Sequence, residues 1–212
     1  MRGFKIFFGV LFVGFILVVC LSGSASAYTK NIVMESFQQT SGLTGEIYYH
    51  WTTPSTPSSY SYCVDHDTNM QVTNTAYYAE KVSIAGNEGL LEAAYLMDKY
   101  AYSKQGVQPS FSAAQTGAIV QLAIWAVIEN TTISGTGSLY DVARNLKLEA
   151  EALGLAELAY LANKYVLLDV YNDSSKTTLY QDVLTPVPIP GAAWLLGAGL
   201  IGLAGIRRRM QA

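Results

Sequence analysis

The chain has 212 residues, half of them hydrophobic and only 14% charged, with a formal net charge of −3. Two of its thirteen basic residues lie in the first 27 positions and three in the last six, so eight face all sixteen acidic residues in between, a net charge of −8. The acids are scattered, which excludes charge-driven binding of nucleic acid or anionic lipid by the middle of the chain.

The N-terminus reads as an address. Arg2 and Lys5 precede an apolar run from Ile6 to Leu21, and Ala25-Ser26-Ala27 follows. Residues 1–27 therefore read as a signal peptide, with cleavage expected before Tyr28. Cys20 lies inside it, and Val19 before it is not the small residue that lipidation needs. About 160 residues then remain before a proline-rich break, enough for one domain with its own core. The fifteen tyrosines, with many Ser and Thr, suit an extracellular binding surface, since tyrosine gives large contact area at low entropic cost.

The first half of this domain (28–185) reads as β. Gly45 to Trp51 is aromatic and β-branched, a strand; Thr52 to Ser59, with Pro54 and Pro57, is a loop. Tyr60 to Val64 is the next strand, ending in Asp65-His66-Asp67, and Gln71 to Ile84 holds another strand or two around Tyr77-Tyr78. A helical part follows. Gly89 to Tyr102 places Leu90, Leu91, Ala94, Tyr95, Met97 and Tyr100 at helical spacing. Ser112 can cap a helix from Ala113 to about Glu129 that is apolar nearly all round and so belongs at the centre of the core. Two further helices are expected over Leu139 to Leu153 and Leu155 to Lys164, broken at Gly154. Tyr165 to Tyr171 and Thr177 to Leu184 read as a hairpin around Asn172-Asp173-Ser174-Ser175. The order predicts an α+β domain: an antiparallel sheet with an inserted helical part and a last hairpin that rejoins the first sheet.

The tail (186–212) begins with Pro186, Pro188 and Pro190, continues through the apolar segment Ala192 to Ile206 and ends in Arg207-Arg208-Arg209. That segment is shorter than the roughly 20 residues of a full membrane span, and the arginines would hold its end in the cytoplasm. Val187-Pro188-Ile189-Pro190-Gly191-Ala192-Ala193-Trp194-Leu195-Leu196 resembles the PEP-CTERM sorting signal, with Ile189 where the commonest form has Glu. The resemblance implies a Gram-negative host that makes exopolysaccharide, transient anchoring in the inner membrane, and processing by an exosortase.

Cys63 is the only cysteine beyond the signal peptide. Exported proteins pair their cysteines or avoid them, so a single one is a reactive group, an intermolecular bridge or a small apolar filler. Asp65, His66 and Asp67 leave a metal site or a Cys-His hydrolase open, although His66 lies only three residues from Cys63. Asn130-Thr131-Thr132 fits a glycosylation sequon without carrying a function here.

Three stretches occur in order: Tyr62-Cys63-Val64-Asp65, Val120-Gln121-Leu122-Ala123-Ile124-Trp125 and Tyr180-Gln181-Asp182-Val183-Leu184. Together they resemble the thioester domain of bacterial surface adhesins, with Val120 where that family usually has Thr. The resemblance implies an internal bond between the Cys63 sulfur and the side-chain carbonyl of Gln181. It gives Gln121 a supporting role, or makes it the alternative partner, and casts Asp65 and Trp125 as supporting residues. It further implies a single-use acyl group rather than a turnover enzyme, with no cofactor. The partner would be a surface protein or exopolysaccharide carrying an amine or hydroxyl. The alternatives are a non-covalent structural or carbohydrate-binding matrix protein with an unreactive Cys63, and a cysteine hydrolase.

Overall fold

The computed structural model describes residues 30–187, apart from 41–42, 52–58, 66–75, 102–103, 105–106, 109, 173–174 and 177–178. The expected signal peptide, His66, Asp67 and the tail from Pro188 onward, with its apolar segment and arginines, lie outside the described residues. Among the described residues, no helix is long and apolar enough to cross a membrane.

Six strands are described: β1 (Lys30–Thr40), β2 (Leu43–Trp51), β3 (Ser59–Cys63), β4 (Ala76–Val82), β5 (Tyr165–Tyr171) and β6 (Val183–Pro186). They close into an antiparallel barrel in the order β1-β2-β3-β6-β5-β4. Between β4 and β5 the chain forms α1 (Glu88–Tyr100), α2 (Ala113–Ile128), α3 (Ser138–Glu151), a single turn α4 (Leu155–Leu158) and a 3-10 turn, Ala159–Asn163. The fold is therefore the expected α+β one, with the helices inserted and the last strand returning between β3 and β5.

Local chemistry explains the helices. Asn87 caps α1 by accepting from Leu90 N–H at 3.1 Å. Ser112 and Gln115 form a reciprocal capping box at the start of α2. Gly89 lets the first turn of α1 lie against the end of α2, since a Cβ there would sit 3.2 Å from Ile128 Cα. Tyr95, Lys99 and Tyr100 of α1 all bind the carboxylate of Glu149 and so clasp α1 to α3.

Two cores result. Tyr62, Leu184 and Tyr165 turn from the sheet toward the helices and join Leu91, Leu96, Met97, Ile119 and Ile124 in the larger one. Ile32, Cys63, Tyr77, Ala79, Val166, Leu168, Val170 and Val183 turn inward and fill the barrel.

Four features depart from the sequence reading. Strand β1 was not expected, because register shifts at Met34/Ser36 and Phe37/Gln39 break its two-residue alternation. The segment expected as a helix over Leu155 to Lys164 is one α turn followed by a 3-10 turn; its buried residues, Leu158 and Leu161, sit three apart, as 3-10 geometry favours. The last strand starts at Val183, and among the described residues a single bridge, Tyr171–Leu179, precedes it. It also runs past the boundary drawn after Thr185: Pro186 pairs with Tyr165, and Val187 N–H donates to Lys164 C=O at 2.7 Å. Proline is tolerated there because strand alternation turns its nitrogen toward β3, whose ladder with β6 stops at Tyr62–Leu184.

Candidate functional site

Strand β3 brings Cys63 into the barrel. Tyr62 pairs with Leu184 and Cys63 with Val183, and Val64 N–H extends the ladder by donating to Asp182 C=O at 3.0 Å. Backbone groups alternate in direction along a strand, so those of Cys63 face the opposite neighbour, β2. The described pairing of β2 with β3 reaches only Ser61, opposite Ile47. Cys63 is left at a gap in the sheet.

Gln121 fills that gap. Cys63 N–H donates to its Oε1 at 3.0 Å, and its Nε2 donates to Cys63 C=O at 2.7 Å. The carboxamide acts as one residue of a missing strand. Gln121 is fully buried in α2, and a buried amide of this kind requires both partners. Trp125, one turn further on the same helix face, is half-buried and packs against the cluster that holds Cys63. The second motif thus presents two residues to the barrel from one helical face.

Gln181 approaches from β6. It lies two residues before Val183, the cross-strand partner of Cys63, where β6 begins. Its Nε2 donates to Asp65 C=O at 2.7 Å. The structure therefore brings Cys63, Gln121, Asp65, Gln181 and Trp125 into one neighbourhood. Gln121 and Gln181 do different things there: one amide is locked onto the cysteine backbone, the other is tethered just past it.

One residue that the sequence did not single out belongs with them. Leu168 pairs with Val183 but Tyr171 pairs with Leu179, so three residues, Tyr180 to Asp182, oppose two, Asp169 and Val170. This is a β-bulge. Asp182 Oδ1 accepts from Val170 N–H at 3.1 Å, while its carbonyl accepts from Val64. The signal available in the sequence was an acid beside Gln181 in an otherwise apolar strand.

The electrostatics oppose a free thiolate. Cys63 is unpaired and buried; burial first, and the charge of Asp65 second, push its thiol far above the ordinary value. The charge of Asp65 disfavours a thiolate on the sulfur, and its backbone carbonyl holds Gln181. Asp182 is pushed up from 3.8 to about 6, chiefly by burial, opposed by its bond from Val170 and reinforced by Asp169 and Asp65. Among the described residues no group of three or more His, Cys, Asp or Glu is arranged to hold a metal.

A thiol beside a carboxamide has one bond-forming route open to it. The thiol can add to a neighbouring carboxamide carbon; the C–N bond breaks and the thiol proton leaves with ammonia, giving a thioester.

No family model matches the sequence, and no curated protein matches it. Solved structures do. A cysteine-to-alanine variant of the pilus-presented adhesin Cpa superimposes with a TM-score of 0.51 at 13% identity, covering 76% of this chain and 48% of that one. The N-terminal domain of the Streptococcus pyogenes pilus tip adhesin Cpa matches at TM-score 0.49, 12% identity and 78% and 97% coverage. The N-terminal thioester domain of fibronectin-binding protein SfbI from Streptococcus pyogenes matches at 0.49, 13%, and 79% and 97%. The likeness to the first of these, of which this chain spans about half, is a likeness of fold.

Proposed function

We propose that this chain is an exported surface or matrix protein whose domain closes an internal Cys63–Gln181 thioester and uses it once, to acylate a partner. A lysine amine or a hydroxyl on a surface protein or exopolysaccharide attacks the activated carbonyl, forms a stable amide or ester, and releases the Cys63 thiol. The protein is a covalent clamp, not a turnover enzyme, and needs no cofactor. The signal peptide exports it. The PEP-CTERM-like tail holds it in the inner membrane until an exosortase processes it.

The observation that carries this reading is the pair of glutamines around one buried cysteine. Gln121 fixes the cysteine backbone, and Gln181 is tethered just past the cysteine by its amide nitrogen on Asp65 C=O. Proximity of this kind lowers the barrier for an otherwise inert amide. The adhesin-like fold agrees with it.

A second reading rests on the thiol itself. A fully buried cysteine held far from ionisation also suits an inert core residue in a non-covalent matrix-binding domain. Methylamine separates the two. The thioester reading expects one methylamine to add at Gln181, found by peptide mapping, with a free thiol appearing at Cys63. Absence of any adduct after prolonged incubation, with Gln181 intact, favours the non-covalent domain.

A further inference from the structure

The bulge at the end of the barrel has a specific consequence for Gln181. Val183 and Tyr180 both pack on the barrel interior although they are three residues apart, and Tyr180 meets Tyr77 edge-on at 5.0 Å between ring centres. Strict alternation forbids that; one extra residue in the strand allows it. Where the extra residue sits decides which way Gln181 points, because a one-residue slip turns a side chain to the other face. The side chain of Asp182 marks that place. Its Oδ1 takes Val170 N–H at 3.1 Å, the donor that the bulge removes from the ladder, while its carbonyl takes Val64 N–H at 3.0 Å. One residue thus ties β5 on one side and the end of β3 on the other, immediately after Gln181.

We propose that Asp182 is a positioning residue: it pins the bulge so that the Gln181 carboxamide is presented to Cys63. This rests on the thioester reading and says how the acyl donor is aimed. The group that does the aiming is the acceptor oxygen, not the charge. The carboxyl faces Asp169 and Tyr171 from β5 and Asp65 from beyond β3, and it lies mostly out of water.

The test uses the chain purified in denaturant before the bond has formed, then refolded while ammonia loss is followed by mass. Asp182→Ala is expected to close the bond about a hundredfold more slowly, the scale of a small misplacement of reacting groups. Asp182→Asn keeps the acceptor oxygen and is expected to close it at nearly the native rate. A separate readout does not need the bond: the Val170 amide proton resonance should titrate with a midpoint near 6 in the native chain, and not in Asp182→Asn. Should Asp182→Ala fail to fold, the Asn variant and the titration still decide. Native closure in Asp182→Ala, equal slowing in Asp182→Asn, or a Val170 amide that does not titrate overturns the proposal. A native chain that never loses ammonia overturns the thioester reading and this role with it. Titration of Val170 in that case shows the bulge to be present for structural reasons alone.

Discussion

Tyr62 and Cys63 are neighbours on one strand and belong to different cores. Tyr62 faces the helices, in a cluster of large aliphatic side chains from α1, α2 and α3. Cys63 faces the barrel, in a smaller cluster built mostly from β-branched residues, with Leu168, Ala79 and Tyr77. The helical core is made of residues at helical spacing and capped helices, and supplies most of the apolar burial. The barrel core is held by polar groups that replace missing strand contacts: Gln121 for β2, Asp182 at the bulge, and the Thr185 hydroxyl, which donates to Tyr60 C=O at 3.1 Å. The first region stabilises the domain. The second places an amide beside a thiol.

That division can be broken first where the effect is largest. Leu96→Ala, at a fully buried site on the helical side, should cost about 2–5 kcal/mol in denaturant unfolding while leaving any bond at Cys63 intact. Gln121→Leu should cost about 2–4 kcal/mol, since it strands both backbone groups of Cys63 in an apolar setting. Unlike Leu96→Ala, it should also abolish ammonia loss by native-like, folded protein. If both substitutions affect the chemistry equally, the two cores are not separable.

Smaller effects sharpen the boundary. A chain ending at Thr185 lacks the Pro186 pairing and the Val187–Lys164 bond, and should melt about 2–4 °C below one ending at Val187, a loss of about 1 kcal/mol. Cys63→Ala should also cost only about 1 kcal/mol, because little volume leaves the barrel. Another effect is in pH. The folded Asp182 carboxyl, near 6 against 3.8, holds its proton more tightly than the unfolded one. Its contribution to stability is therefore fully present below 3.8 and is lost as pH rises through about 6. Comparing melting curves of the native chain and Asp182→Asn from pH 4 to 7 isolates that slope, which should vanish in the variant.

The helical region was legible because its signals are local. Leu90, Leu91, Ala94 and Met97 lie at helical spacing, and Ser112 begins a capping box that four consecutive residues complete. The site was legible only as a set of residue types. Cys63, Gln121 and Gln181 can be picked out along the chain, but the task of Gln121 depends on β2 stopping short of Cys63, a fact about pairing between distant segments. Strand β1 was missed because its bulges erase the alternation that marks a strand. Asp182 was missed for a related reason: its bond to Val170 exists only because two registers disagree by one residue. Pro186 reads as a stop in the sequence, although a strand can end on proline when its nitrogen faces a neighbour past the end of their ladder.

The most direct test of the central claim is the intact mass of the secreted domain, taken without reductant or amine. An internal Cys63–Gln181 bond predicts a mass about 17 Da below that of the sequence, one ammonia lost, and no thiol titrating even after unfolding in acid. Cys63→Ala should restore the full mass. A native domain at the full sequence mass, releasing one thiol as it unfolds, would contradict the covalent account.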